Sequence, residues 1–134
     1  MRGWVRSRPV PAGQRLTRLE VRIRFLARED YDFAGLAVAH PPSKDALIGV
    51  SLRNGRVEAR AVALAEPCEV ELGRPCHLAL RLDTATAGNA SPEYEVVFDG
   101  RIVGRWTRPV THFGVGACEA HAEISDILVE LAAV

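Results

Sequence analysis

Residues 17–26 read Thr-Arg-Leu-Glu-Val-Arg-Ile-Arg-Phe-Leu and contain the first clear β-strand pattern of the chain. Four apolar side chains alternate with charged ones along it: Leu19, Val21, Ile23 and Phe25. A period of two places the apolar side chains on one face of a β-strand and the charges on the other. A helix would gather the charges on one side only by accident. The stretch therefore predicts a strand with one buried face.

The same short alternation recurs along the rest of the chain, with turn residues between the segments. Further strands are predicted over residues 33–39, 46–53, 56–64, 68–72, 76–83, 94–98, 101–106, 111–116 and 120–131. Asn54-Gly55 predicts a type I′ hairpin turn, because both residues can adopt positive φ, and Asp99-Gly100 predicts a second tight hairpin. The apolar phase slips at Ser125-Asp126, which predicts a β-bulge or a bend between sheets.

About nine or ten short strands without a helix indicate an all-β sandwich or barrel. We expect a two-sheet antiparallel β-sandwich of the jelly-roll type. Its core is predicted to include eight side chains from four strands: Leu19, Val21, Ile23, Phe25, Leu78, Leu80, Val96 and Phe98.

The length and charge of the chain bound its class. The 134 residues fit one domain over residues 16–134, preceded by a basic arm or edge strand over residues 1–15. The formal net charge is zero, which argues against a nucleic-acid partner, and no membrane partner is expected. Neither a signal peptide nor a transmembrane segment is evident, so the cytoplasm is the default location unless the chain belongs to a larger secreted protein.

The three cysteines, Cys68, Cys76 and Cys118, are an odd number, whereas a disulfide framework uses an even one. Cys68 and Cys76 fall among alternating apolar residues, which favours buried thiols. A bridge between these two cysteines across the turn at residues 73–75 is the alternative.

The C-terminal half of the chain contains four segments in a familiar order. They are Cys-His-Leu-Ala-Leu-Arg-Leu-Asp at 76–83, Tyr-Glu-Val-Val-Phe-Asp-Gly-Arg-Ile-Val-Gly-Arg-Trp at 94–106, Phe-Gly-Val-Gly at 113–116 and Ile-Ser-Asp-Ile-Leu-Val at 124–129. This half resembles the concanavalin A-like, laminin-G-like jelly-roll domains, while the first half shares only their strand rhythm. The resemblance implies a non-catalytic, lectin-like module with carbohydrate as the favoured ligand. A protein–protein or structural module, including self-association, is the alternative.

Sugar binding requires aromatic faces and planar polar groups at a surface. The candidates are Tyr31, His40 and Trp106, with Trp4 as a further aromatic side chain. Tyr31 lies in a polar loop and is the best exposed candidate. Trp106 ends a hairpin strand, where burial in the core is the favoured role.

An acidic loop offers the best candidate for a metal. Glu29, Asp30 and Asp32 lie within four positions, and laminin-G-like domains often hold calcium with loop carboxylates. No other cofactor is expected. Neutralisation of these carboxylates by Arg28 or by an arginine from another strand is the favoured alternative.

Catalytic and zinc patterns are weak. Glu123, Asp126 and Glu130 come nearest to the paired carboxylates of glycoside hydrolases, but spacings of three and four do not align on an unbroken strand. Cys118 and His121 have a C-x-x-H spacing without a second close pair. The chain is therefore predicted not to be an enzyme, with glycoside processing as a minor alternative.

Overall fold

The computed structural model describes residues 3–29, 32–39 and 46–134. Within them the chain forms eleven strands. Their bounds are β1 Gly3–Pro9, β2 Gln14–Ala27, β3 Phe33–Ala37, β4 Leu47–Ser51, β5 Arg56–Ala59, β6 Leu64–Pro67, β7 Cys76–Leu82, β8 Tyr94–Phe98, β9 Arg101–Trp106, β10 His112–Cys118 and β11 His121–Ala133. Residues 3–9 of the predicted arm thus form a strand. No helix in this part of the chain is long and apolar enough to cross a membrane.

The strands form two antiparallel sheets. The six-stranded sheet has the order β1-β10-β3-β4-β5-β6, and the five-stranded sheet has the order β11-β2-β7-β8-β9. Strands from the two ends of the chain are therefore neighbours, since β10 pairs with β1 and β11 pairs with β2. The predicted two-sheet antiparallel sandwich is confirmed.

The core lies between the sheets and contains all eight predicted side chains. Leu19, Val21, Ile23 and Phe25 are each 0% exposed. Leu78, Leu80, Val96 and Phe98 from β7 and β8 complete the predicted set and are also buried. The inner face of the six-stranded sheet closes the core from the other side with apolar residues that include Leu36, Ile48, Val50 and Val57.

The two predicted hairpin turns have different outcomes. At Asp99-Gly100 both residues have positive φ, 47° and 82°, as a type I′ turn requires. At Asn54-Gly55 the predicted hairpin forms, since β4 pairs with β5, but the predicted type I′ turn was wrong, because the loop has four residues and only Gly55 adopts positive φ. The reason lies in Leu52, whose side chain is buried and whose N–H donates to Asp32 O at 2.9 Å, away from the β4–β5 ladder.

The predicted strands over 56–64 and 68–72 were also wrong. β5 ends at Ala59, a short 3₁₀ turn occupies Arg60–Val62, and Ala63 adopts a positive φ of 53°. The chain then returns as β6 over residues 64–67, which pair with β5, and residues 68–72 form no strand. Alternating alanines at 59, 61 and 63 fit a strand or a turn equally well, which is why the pattern misled.

The bulge near the end of the chain is confirmed. The β11–β2 register shifts between Ser125 and Leu128, and Asp126 adopts a φ of 50°. Cys68 and Cys76 are not joined by a disulfide bond. Burial raises the pKa of Cys76 to about 12.

Candidate functional site

A groove opens along one side of the sandwich, where each sheet ends in an edge strand. Among the described strands, β1 pairs only with β10, and β11 pairs only with β2. The space between these two edges has a volume of about 730 Å³. Its main lining residues are Trp4, Arg6 and Arg8 from β1, Phe113 from β10, and Ile124 and Val129 from β11. We call this space the edge groove.

The register of β1 explains why its large side chains point into the edge groove. Trp4 lies opposite Ala117 of β10, and Arg6 lies opposite Val115. Ala117 and Val115 belong to the buried core on the inner face of the sheet. Because side chains alternate between the two faces of a strand, Trp4, Arg6 and Arg8 all project towards β11.

Trp4 gives the edge groove an accessible aromatic ring. It is 43% exposed, the largest exposure of any aromatic side chain in the described residues. The Arg6 guanidinium lies over the ring at 5.8 Å from its centroid, within range of a cation–π interaction. Because Arg6 already restrains the indole, the ring loses little conformational freedom when a ligand binds to its flat apolar surface.

The two arginines of the edge groove differ from most others on the strands. Those on the outer face of the five-stranded sheet pair with carboxylates, as in Arg24–Glu123 at 3.4 Å and Arg81–Glu95 at 3.1 Å. Within residues 3–29, 32–39 and 46–134, Arg6 and Arg8 form no ion pair, and no carboxylate lines the groove. The groove therefore combines an aromatic ring, two guanidinium groups without a carboxylate partner among the described residues, and apolar walls.

The structure corrects the assignment of Trp106 to a binding surface. Trp106 lies opposite Tyr94 in the β8–β9 ladder, and its ring is 1% exposed in the core. Its Nε1 is buried and has no hydrogen-bond partner within the described chain. A ring in this position packs the sandwich and cannot stack on a sugar. The other two sequence candidates, Tyr31 and His40, lie outside the described residues.

The acidic loop is described at Glu29 and Asp32, while Asp30 lies outside the described residues. Asp32 is 1% exposed, and its Oδ1 accepts the Glu29 N–H at 2.8 Å. Burial raises the pKa of Asp32, whereas that hydrogen bond and the positive charges of Arg28 and Arg53 act in the opposite direction. The buried carboxylate of Asp32 stabilises its own loop through this hydrogen bond. It is not exposed as a ligand in an open calcium site would be.

No group of three or more His, Cys, Asp or Glu side chains is placed to hold a metal in the described parts of the chain. The carboxylates considered for catalysis are spread along β11 and face different arginines. Glu123 pairs with Arg24, Asp126 pairs with Arg22 at 3.7 Å, and Glu130 pairs with Arg18 at 3.7 Å. These contacts make an ion-pair ladder on the sheet surface.

A second polar cluster lies on the outer face of the six-stranded sheet, at the β4–β5 hairpin. Glu58 Oε1 accepts hydrogen bonds from Asn54 Nδ2 at 2.8 Å and from Arg56 Nε at 3.3 Å. Sequence reasoning did not single out these residues, because they become neighbours only through the four-residue loop. Their hydrogen-bonding groups are largely committed to one another, so the cluster offers fewer free groups than the edge groove.

Neither the protein-family models nor the curated proteins gave a match. One similar structure is a carbohydrate-binding module, CBM66, of Bacillus subtilis, with a TM-score of 0.61 and 16% identity over 89% of this chain and 78% of that one. Another is the galectin LEC-6 of Caenorhabditis elegans, with a TM-score of 0.58 and 10% identity over 94% and 90% of the two chains.

At these identities the likeness concerns the fold. Both solved structures are lectin-like β-sandwiches, and the chain shares their jelly-roll architecture, as the resemblance of its C-terminal half implied.

Proposed function

We propose that this protein is a carbohydrate-binding domain that holds a saccharide in the edge groove against Trp4. The observation that carries the proposal is the 43% exposed indole of Trp4 at the mouth of an apolar groove. The apolar C–H face of a pyranose ring matches such a surface, and nearby arginines supply donors for its hydroxyl groups. The two similar structures, one of a carbohydrate-binding module and one of a galectin, support the same class of ligand.

Binding without catalysis is the form of the function that we favour. The carboxylates of β11 lie on the outer face of the five-stranded sheet and are neutralised by arginines of β2. Glycoside hydrolysis needs a pair of carboxyl groups that share one substrate. A glycan that binds should therefore be recovered intact after prolonged incubation with the protein.

A glycan array followed by calorimetric titration of the hits tests the proposal. The Trp4→Ala variant should weaken binding by about tenfold or more, as for a central aromatic contact. The matched control is Leu72→Ala, because Leu72 is 45% exposed and lies in the loop before β7. Equal affinities for wild type and Trp4→Ala would move the site elsewhere, and an array without hits would remove the proposal.

A protein-binding or self-associating module is the second candidate, and β11 favours it. This edge strand is 13 residues long, and its Ile127 and Leu128 are 52% and 38% exposed. Edge strands with exposed apolar residues readily pair with another chain. Light scattering after size exclusion tests this candidate: a dimer that Leu128→Lys converts to a monomer would support it, and a monomeric wild type would contradict self-association.

A further inference from the structure

We propose that the edge groove selects acidic saccharides, with the sugar's carboxylate or sulfate bound by Arg6 and Arg8. The inference rests on the proposed carbohydrate-binding function and names the ligand class. It comes from the charge of the groove, whereas the general function comes from its aromatic ring.

The geometry of β1 places the two guanidinium groups on one face. Arg6 and Arg8 are two positions apart, so their Cα atoms are about 7 Å apart along the strand. Both side chains are exposed at the edge groove. A guanidinium group presents a planar fork of donors that matches two oxygens of a carboxylate or a sulfate. Two such forks at this separation can hold one acidic group from both sides or two acidic groups of successive sugars.

The surroundings strengthen the attraction for an anion. Most other arginines on the strands are neutralised by carboxylates, whereas the described lining of the groove includes two positive charges and no acidic residue. Its walls are apolar, with Phe113 on one side and Ile124 on the other. Low-dielectric walls focus an electric field into a cleft. The positive charge is local, because the whole chain has a formal net charge of zero.

The same features favour a saccharide over a nucleic acid. Nucleic-acid binding depends on many phosphate contacts, and the groove supplies two guanidinium groups. A short acidic saccharide needs only one or two charge contacts together with a ring stacked on Trp4.

The test compares three probes by calorimetric titration of the full chain: oligogalacturonate, its carboxyl-reduced neutral form, and a sulfated galactan oligosaccharide. Wild type should bind at least one acidic probe about tenfold or more tightly than the neutral one, since hydrogen bonds between charged groups are worth that much. The acidic probe with the higher affinity shows whether carboxylate or sulfate is the preferred group. Raising the salt concentration should reduce the preference.

Substitutions of Arg6 and Arg8 test whether the positive charge, and not a change in folding, causes the preference for acidic probes. In the double variant Arg6→Gln with Arg8→Gln, the acidic probe should lose its advantage and bind no more tightly than the neutral probe, whatever the affinity of the neutral probe itself. The double variant with lysine at both positions should keep part of the preference. Arg60→Gln is the control for the loss of one positive charge, as in Arg8→Gln alone, because Arg60 lies in the β5–β6 connection, at the opposite edge of the six-stranded sheet. If the glutamine variant does not fold, Arg8→Gln alone and the salt dependence of wild type provide the same comparison.

The results that overturn the inference differ from those that overturn the proposed function. Equal binding of acidic and neutral probes by wild type, with loss of both in Trp4→Ala, leaves a carbohydrate-binding domain without acidic selectivity. Stronger binding of single-stranded DNA than of any saccharide would also contradict the inference. No binding of any saccharide removes both proposals.

Discussion

The Arg6 guanidinium lies 5.8 Å from the centre of the Trp4 ring, and both side chains project from the same face of an edge strand. This contact joins the two properties that define the edge groove, an apolar ring and a positive charge. A cation–π contact at an exposed site is worth about 0.5–1 kcal/mol. It is therefore strong enough to orient the indole and weak enough for Arg6 to be drawn to an anion.

Gly114 determines whether β1 can hold its place beside β10. A Cβ atom at this position would lie 1.9 Å from Arg6 O and 2.6 Å from Ser7 Cα, both in the backbone. Gly114→Ala should therefore push β1 away, lower the free energy of unfolding by about 1–3 kcal/mol and abolish ligand binding. Urea denaturation and titration measure the two effects.

The control for this substitution is Gly88→Ala, because a Cβ at Gly88 meets nothing within 4 Å. Its effect on stability should stay within about 0.5 kcal/mol. Equal stabilities of the two variants would show that β1 does not pack on Gly114 as described.

Tyr94 on β8 forms a buried hydrogen bond with β2, across the intervening strand β7. Its hydroxyl donates to Leu16 O at 2.5 Å, and burial raises its pKa. Tyr94→Phe keeps the ring but leaves that carbonyl without this donor. We expect a loss of about 1–2 kcal/mol in the free energy of unfolding, measured in urea. An unchanged midpoint and slope would contradict the hydrogen bond.

Phe98 lies on β8, as Tyr94 does, and its ring is part of the core. It is 4% exposed, so Phe98→Ala should lower the free energy of unfolding by about 3–5 kcal/mol through lost burial and the cavity left behind. The exposed Ile102 in β9 offers a control, because Ile102→Ala removes an apolar side chain that is 51% exposed. Similar losses for both variants would refute the core placement of Phe98.

The sequence pattern predicted the structure correctly where residues close together in the chain determine the conformation. The alternation from Leu19 to Phe25 predicted one buried face, and Asp99-Gly100 predicted a tight turn, because both depend on local conformation. Asn54-Gly55 carries a similar local signal, but Leu52 was drawn into the core and bound to Asp32, so the tertiary contact prevailed.

The edge groove could not be predicted from the sequence in the same way. Trp4 and Ile124 are 120 positions apart, and they face each other only because β1 and β11 both end their sheets. Trp4 and Trp106 both lie on alternating strands. Both strands lie at the edge of a sheet, so neither the alternation nor the strand order tells which indole is covered. The packing decides it, because Trp106 belongs to the buried core while Trp4 lines the edge groove.

Two aspartates should shift stability with pH in opposite directions. The folded pKa of Asp32 is raised by burial, so its contribution to stability falls as the pH rises from 3.8 through the folded value. Asp32→Asn keeps an acceptor for the Glu29 N–H and tolerates the φ of 53°. The variant should therefore gain stability relative to wild type at pH 7, and the gain should vanish below the unfolded pKa.

Asp83 is the matched control with the opposite sign. The Arg105 guanidinium, followed by the Ala85 N–H, holds the pKa of Asp83 below its usual value. Its stabilising contribution is present above pH 3.8 and is lost as the pH falls through the lower folded value. Asp83→Asn should lose stability at pH 7. Urea denaturation across pH 3–7 measures both variants, and equal signs would contradict the assigned causes.

The two tryptophans make the site directly measurable, because one is exposed and the other is buried. A ¹⁵N-labelled protein gives two indole N–H signals in a heteronuclear NMR spectrum, and Trp4→Phe identifies the signal of Trp4. On titration with the saccharide that binds best, the Trp4 signal should shift in proportion to occupancy while the Trp106 signal stays in place. A saturating titration that leaves the Trp4 signal unmoved, with shifts at Asn54 Nδ2 instead, would place the ligand outside the edge groove.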